Sequence, residues 1–125
     1  MKILVAEDDD DIKDLIQITL ENEGHDVMTF DDGALALEAT NTTYFDAFIL
    51  DLRLPSVHGL SIAEKLRANT KYKDTPIFVV SGSIDKDAIS QIKHLNISAV
   101  HVKPFDANAV ALSVEDAMGK LKKIS

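Results

Sequence analysis

The segment Ala47-Phe48-Ile49-Leu50-Asp51 is a short apolar run that ends on a carboxylate. A run of this length is typical of a buried β-strand and is too short for a helix of a globular protein. Four other apolar runs of similar length occur along the chain, at residues 3–6, 27–30, 77–80 and 99–102. The sequence therefore predicts five short strands, with residues 47–50 as the third.

Helical periodicity fills the gaps between these runs. The first helix is predicted after Asp9–Asp11 and before Gly24, with one apolar face made of Ile12, Leu15, Ile16 and Leu20. The last helix has an apolar face made of Val110, Val114, Ala117, Met118 and Leu121. Weaker helical patterns cover residues 33–40, 60–68 and 85–95. Each predicted strand is thus followed by a helix.

This alternation predicts an α/β fold with five βα units. Strands that are apolar on both faces indicate a parallel sheet with helices packed on each side. Right-handed crossovers leave a doubly wound sheet as the natural arrangement. The chain has no linker, repeat or low-complexity tract, so residues 1–125 are interpreted as one domain.

Composition excludes several classes of function. The 125 residues include 13 basic and 21 acidic side chains, and a formal charge of −8 disfavours unaided binding to nucleic acid or anionic lipid. Without cysteine the chain has no disulfide, thiolate metal site or cysteine nucleophile. No apolar run is long enough to span a bilayer, and the first residues do not resemble a signal peptide. These features favour a cytoplasmic protein.

Polar side chains follow four of the five strands where each strand ends. They are Glu7 and Asp8 after the first, Asp51 after the third, Ser81 after the fourth and Lys103 after the fifth. In doubly wound sheets ligands bind beyond the carboxyl ends of the strands, so these groups are expected to share one edge. Three carboxylates in one place suit Mg²⁺, and a lysine and a hydroxyl suit a phosphoryl group. Asp51 is the best candidate for the nucleophile of a phosphoryl transfer.

Each of these residues also has an ordinary structural interpretation. Asp9, Asp10 and Asp11 precede a helix and are expected to cap it, and Asp31 and Asp32 are expected to do the same after the second strand. Taken singly, Asp51 could be a loop acid, Ser81 a turn residue and Lys103 a loop charge. The functional interpretation rests on their shared position.

Four ordered segments resemble the receiver domains of two-component response regulators: ILVAEDD from residue 3, FILDLRLPSVHG from residue 48, PIFVVSG from residue 76 and VKPF from residue 102. The resemblance covers the whole chain. It implies a flavodoxin-like fold with strand order 2-1-3-4-5. It also implies a signalling switch that catalyses only its own phosphorylation and dephosphorylation.

The resemblance assigns roles around a metal ion. Asp8 would bind Mg²⁺ directly and Glu7 through water. Asp51 would supply a further ligand, and the backbone carbonyl of Arg53 another.

The resemblance also assigns the phosphoryl chemistry. Asp51 would be the phosphoacceptor, and Ser81 and Lys103 would contact the phosphoryl group. Pro104 corresponds to a residue that often follows the lysine in a cis peptide. The donor would be a phosphohistidine on a histidine kinase or phosphotransfer protein, and the signal would pass to a downstream protein or a fused output domain. A stand-alone regulator and a receiver excised from a longer chain are both compatible with the sequence.

The chain departs from the family pattern at three places. Val100 replaces the aromatic residue that usually lies three positions before the lysine and couples the site to the outer surface. Arg53 and Ser83 occupy positions that tune the lifetime of the aspartyl phosphate. His58 stands where an acid or a small polar residue is commoner, and no chemistry is assigned to it.

Other classes fit less well. A zinc site is improbable because no metal-binding spacing links the four histidines, His25, His58, His94 and His101. Aspartate-nucleophile phosphatases of the haloacid-dehalogenase type need a second aspartate where this chain has Arg53. Flavodoxins need a phosphate-cradling loop where this chain has acids. The remaining alternative is a receiver-like interaction module that works without phosphorylation, which only Val100 favours.

Overall fold

The computed structural model describes residues 1–124, and the side chains of residues 1–119. Five strands alternate with five helices, as the sequence predicts. The strands are β1 (Lys2–Ala6), β2 (Asp26–Phe30), β3 (Ala47–Asp51), β4 (Ile77–Ser81) and β5 (Ala99–Val102). The helices are α1 (Asp10–Asn22), α2 (Gly33–Ala39), α3 (Gly59–Ala68), α4 (Lys86–His94) and α5 (Ala107–Ile124).

The strands form one parallel sheet in the order β2-β1-β3-β4-β5. The predicted doubly wound fold and its strand order are therefore confirmed. The central strands β3 and β4 are buried along their whole length, whereas the edge strand β5 is only half-buried. Within the described residues, no helix is both long and apolar enough to cross a membrane.

The sheet separates two apolar cores. One core packs α2, α3 and α4 against the sheet around Phe48, Leu66 and Tyr72, and the other packs α1 and α5 around Ile16, Val80 and Val114. This two-sided burial explains why β3 and β4 are apolar at nearly every position.

The predicted apolar face of α1 is wrong at Leu15, which is 49% exposed. Ile16 and Leu20 are buried, and Ile12 packs partly against the same core. The contact of α1 with the sheet and α5 therefore covers a narrower stripe than the periodicity predicts. On α5, Val110 and Val114 are buried as predicted, Ala117 and Met118 pack against this core, and the side chain of Leu121 lies outside the described residues.

Aspartate side chains cap several of the helices. Asp9 accepts the Ile12 N–H at 3.1 Å, and Asp32 accepts the N–H groups of Ala34 and Leu35 at 2.8 and 3.1 Å. The capping interpretation is thus confirmed for Asp9 and Asp32, and Asp85 caps α4 in the same way. Asp10 and Asp11 lie in the first turn of α1, where their charge favours the helix dipole.

Candidate functional site

The carboxyl ends of β1, β3, β4 and β5 bring the predicted polar residues to one edge of the sheet. Glu7 and Asp8 directly follow β1, Asp51 is the last residue of β3, and Ser81 is the last residue of β4. Lys103 directly follows β5, and its N–H donates to the Ser81 carbonyl at 2.7 Å. Parallel strands in this order explain why residues up to 96 positions apart become neighbours, from Glu7 to Lys103 (103 − 7).

Lys103 lies between two buried carboxylates. Its Nζ is 2.6 Å from Glu7 Oε1 and donates to Asp51 Oδ2 at 2.9 Å. Glu7 is fully buried and Asp51 is 4% exposed. The contact between Lys103 Nζ and Glu7 Oε1 is an ion pair, but its angles are unfavourable for a hydrogen bond. Glu7 Oε1 is therefore a buried oxygen without an aligned hydrogen-bond donor. One ammonium group therefore faces two buried acids and cannot balance the charge of both.

This imbalance changes the acidity of Glu7. Burial raises its pKa to about 7, the proximity of Asp51 adds to the increase, and the Lys103 ammonium opposes it. Burial lowers the pKa of Lys103, but the two acids outweigh that effect and the net change is upward. Loss of solvent is therefore the larger cause of the raised pKa of Glu7, and crowding with the like charge of Asp51 is the smaller one.

Three of the acids fit a divalent cation. Glu7, Asp8 and Asp51 each present a carboxylate oxygen within 4.8 Å of the other two. Glu7 and Asp51 are buried whereas Asp8 is exposed, so the cluster has a side open to water. Hard cations such as Mg²⁺ take oxygen ligands and keep several waters, which agrees with this donor set. The residues could thus hold a metal ion.

The other predicted residues lie around Asp51. The Arg53 N–H donates to Asp51 Oδ1 at 3.1 Å, and the Arg53 guanidinium donates to Ser83 Oγ at 3.1 Å. The Ser81 hydroxyl, at the end of β4, donates to the carbonyl of Ser83 in the β4–α4 connection at 2.8 Å. The Lys103–Pro104 peptide bond is cis. Loops after β3 and β4 are therefore joined next to the buried carboxylate.

The sequence analysis did not identify His58 as the N-cap of α3 or Gly59 as a contact of the Asp51 backbone. His58 is its N-cap, and His58 Nδ1 accepts the Leu60 N–H at 3.2 Å. A Cβ at Gly59 would lie 2.1 Å from the Asp51 carbonyl oxygen, so this helix begins directly against the backbone of Asp51. The signal available in the sequence was a hydrogen-bonding side chain followed by glycine before an apolar helix.

Comparison with known proteins agrees with this geometry. The sequence pattern of the response regulator receiver domain matches residues 3–115. The chain belongs to the response regulator receiver family. It is a receiver domain of a signalling protein, and its fold is the one that the sequence resemblance implies.

Individual relatives agree with the family assignment. The receiver is 35% identical to the response regulator ArlR of Staphylococcus saprophyticus over 107 residues, which cover 84% of this chain and 46% of that protein. It is 30% identical to ArlR of Staphylococcus aureus over 125 residues, covering 98% of this chain and 52% of that protein. The receiver spans about half the length of these relatives.

Solved structures resemble the receiver over nearly its whole length. A sensor protein from Polaromonas sp. superposes with a TM-score of 0.85 at 32% identity, covering 95% of this chain and 96% of the other. The receiver domain of Francisella response regulator 1452 gives a TM-score of 0.85 at 27% identity, with coverage of 96% and 98%.

Proposed function

We propose that Asp51 accepts a phosphoryl group from a phosphohistidine on a histidine kinase or phosphotransfer protein. The observation that carries this proposal is the pair of contacts from Lys103 Nζ to Glu7 and Asp51 at the carboxyl edge of the sheet. A buried carboxylate beside a fixed ammonium group is both a nucleophile and part of a site for a phosphoryl anion.

In the proposed transfer, an Asp51 carboxylate oxygen attacks the phosphorus atom of the donor. The new O–P bond forms as the P–N bond to the donor imidazole breaks, and the electron pair of that bond stays on the nitrogen. Lys103 would move from the carboxylates to a phosphoryl oxygen, and the Ser81 hydroxyl would leave the Ser83 carbonyl and donate to another. Both groups begin within the same edge site.

Mg²⁺ is the proposed cofactor. Asp8 and Asp51 would bind it directly, Glu7 through water, and the Arg53 backbone carbonyl would complete the protein ligands. When bound it would neutralise charge on the transferring phosphoryl group. The acids supply a net negative site that a single lysine does not balance, and this supports a cation there.

The proposed switch acts on a protein partner or a fused output domain. The net negative charge of the chain disfavours direct contact with nucleic acid. We also propose that residues 1–125 form one domain and that this domain acts in the cytoplasm. An interaction module independent of phosphorylation is not favoured, because a non-reacting site has no need of two buried acids around one lysine.

Incubation with a small phosphodonor tests the proposal. With Mg²⁺, the intact mass of the receiver should rise by one phosphoryl group, and chelation of the metal should prevent the increase. A mass that does not change with a donor that labels another receiver under the same conditions would contradict the proposal.

Stability should depend on pH through Glu7. Its folded pKa of about 7 exceeds the value of 4.5 expected for the unfolded chain, so the folded state holds an extra proton between these values. The free energy of unfolding of the metal-free receiver should therefore fall as pH rises from 4.5 to 7, by on the order of 3 kcal/mol. Chemical denaturation across this range measures the slope, and Glu7→Gln should remove it.

Mg²⁺ should reverse this loss. A ligand at 100 times its dissociation constant that binds only the folded state adds about 2.7 kcal/mol. Because the metal competes with the proton on Glu7, the increase in melting temperature should be larger at about pH 8 than at about pH 5. An equal or absent increase at the two pH values would contradict the metal assignment.

Val100 should weaken the conformational readout. Val100 is half-buried and packs against the core that α2, α3 and α4 form with the sheet. The neighbouring His101 faces α5, where its Nε2 contacts Ser113 Oγ at 3.0 Å. A β-branched side chain is stiff about χ1 and cannot swing between buried and exposed positions as a ring can. Beryllofluoride, which mimics the phosphoryl group, should shift the amide resonances of Asp51, Ser81 and Lys103 strongly, and those of residues 87–95 and 110–121 only modestly.

Val100→Tyr is the matched variant for this measurement. Restoring a ring at this position should enlarge the shifts on α4 and α5 without changing those at Asp51. Shifts on the two helices of the wild-type receiver as large as those at the site would show that Val100 does not limit the switch.

A further inference from the structure

The N-terminus of α3 depends on one histidine nitrogen. His58 has extended backbone angles, and its carbonyl accepts the first helical hydrogen bonds from Ser61 and Ile62 at 3.0 and 3.2 Å. Its Nδ1 accepts the Leu60 N–H at 3.2 Å. To accept this bond, Nδ1 must have a free lone pair, so the cap exists only with a neutral ring whose proton is on Nε2.

The same helix start is attached to the backbone of the phosphoacceptor. The Gly59 N–H donates to the Leu52 carbonyl at 2.8 Å. A Cβ at Gly59 would meet the Asp51 carbonyl oxygen at 2.1 Å and Leu52 Cα at 2.9 Å, so helix and strand end are in direct backbone contact. No side chain lies between the first turn of α3 and the backbone of Asp51 at this contact.

The surroundings of His58 are polar and mostly acidic. The ring lines a groove between α3 and α4 that also contains Glu64 from α3, Asp85 and Asp87 at the start of α4, and Arg53 from the β3–α3 connection. Three carboxylates outnumber one guanidinium, and that guanidinium donates to Ser83 Oγ. A positively charged ring would thus line a groove in which acids outnumber bases.

We propose that His58 is a pH-sensitive positioning residue: its neutral ring caps α3 and holds the Asp51 backbone, and protonation releases the cap. A proton from solvent on Nδ1 removes the lone pair that accepts the Leu60 N–H. It also places a positive charge at a helix N-terminus, which the helix dipole opposes. The effect on phosphorylation rests on the proposed function, whereas the cap itself does not.

The direction follows from which state accepts the bond. Only the neutral ring accepts the Leu60 N–H, so the stabilising contribution is present while the ring is neutral and is lost when the ring takes up a proton. Phosphorylation should therefore be favoured when the ring is neutral, which is the state that higher pH favours.

Amide NMR tests the cap directly. The Leu60 amide resonance should titrate in step with the His58 ring, and ¹⁵N shifts should show the Nε2–H tautomer. His58→Asn keeps a capping oxygen that does not titrate, so its Leu60 amide should stay constant. At about pH 5, exchange protection of the Leu60 amide should be about fivefold lower in the wild type than in His58→Asn. A Leu60 amide independent of the ring would overturn the proposal.

A pH profile of labelling by a small phosphodonor tests the effect on Asp51. Glu7 titrates equally in wild type and His58→Asn, so the ratio of their labelling rates isolates His58. The ratio of the wild-type rate to the His58→Asn rate should be near one at about pH 8 and several-fold lower at about pH 5. His58→Ala, which has no capping atom, should be labelled slowly at both pH values. A ratio that is constant across this range would overturn the link to Asp51. Absence of labelling in every variant would instead contradict the proposed function, and the Leu60 titration would then decide the cap.

Discussion

Replacing Asp51 with asparagine should abolish phosphorylation of the receiver by small phosphodonors. An amide is not a competent nucleophile toward phosphorus, whereas its size and its contact with the Arg53 N–H can be retained. Intact mass after incubation with donor and Mg²⁺ measures the loss. Asp31→Asn is the matched control, since it removes an exposed acid after β2, at the same edge of the sheet, and should label normally. Full labelling of Asp51→Asn would contradict the assignment.

The same variant should stabilise the metal-free receiver. Asp51 is one of the groups that raise the pKa of Glu7, so its removal leaves Glu7 and Lys103 as a balanced pair. The Glu7 pKa should fall, and the decrease in stability between pH 4.5 and 7 should become smaller. Carboxyl ¹³C shifts of Glu7 report this change independently of phosphorylation.

Lys103→Met should slow phosphorylation by about 100-fold to 1,000-fold, the cost typical of removing one group that stabilises a transition-state charge. Methionine keeps much of the apolar stem but removes the ammonium group that contacts Glu7 and Asp51. Because Lys103 opposes the increase in the Glu7 pKa, that pKa should rise above 7 in the variant.

Lys86→Met is the control for this experiment. Lys86 is exposed at the first position of α4, so its replacement changes the net charge equally without touching the site. Labelling of Lys103→Met at the rate of Lys86→Met would show that Lys103 does not stabilise the transferring group.

The fold could be predicted because its signals are local. Each strand is a short apolar run, and the observed strands differ from the predicted ones by one residue at most, as at Lys2, Asp26 and Ser81. The edge site followed from the same pattern, since the carboxyl ends of parallel strands meet at one edge wherever the helices lie.

Features that depend on neighbours distant in the chain could not be predicted. Leu15 has the right spacing for the apolar face of α1, but exposure depends on how widely α5 and the sheet cover that helix. Arg67 is a further example, because its guanidinium donates to the carbonyls of Leu95, Tyr72, Thr75 and Asn96. No local pattern marks an arginine that joins α3 to the end of α4.

Which of the carboxylates has the raised pKa could not be predicted either, because that depends on burial and on distances between side chains. The sequence indicates crowded acids, but the raised pKa belongs to Glu7 because that side chain is fully buried and shares Lys103 with Asp51. Likewise, the local pattern at His58 and Gly59 indicates a helix start, but the close approach of Gly59 to the Asp51 backbone is a tertiary contact that the pattern does not contain.

Mapping the modified residue tests the central claim most directly. The receiver would be incubated with a small phosphodonor and Mg²⁺, and borohydride would then reduce any acyl phosphate to an alcohol. Peptide sequencing by mass spectrometry should find homoserine at position 51, with Glu7, Asp8 and the other acids unchanged. Homoserine at a different aspartate, with Asp51 intact, would contradict the account of this site.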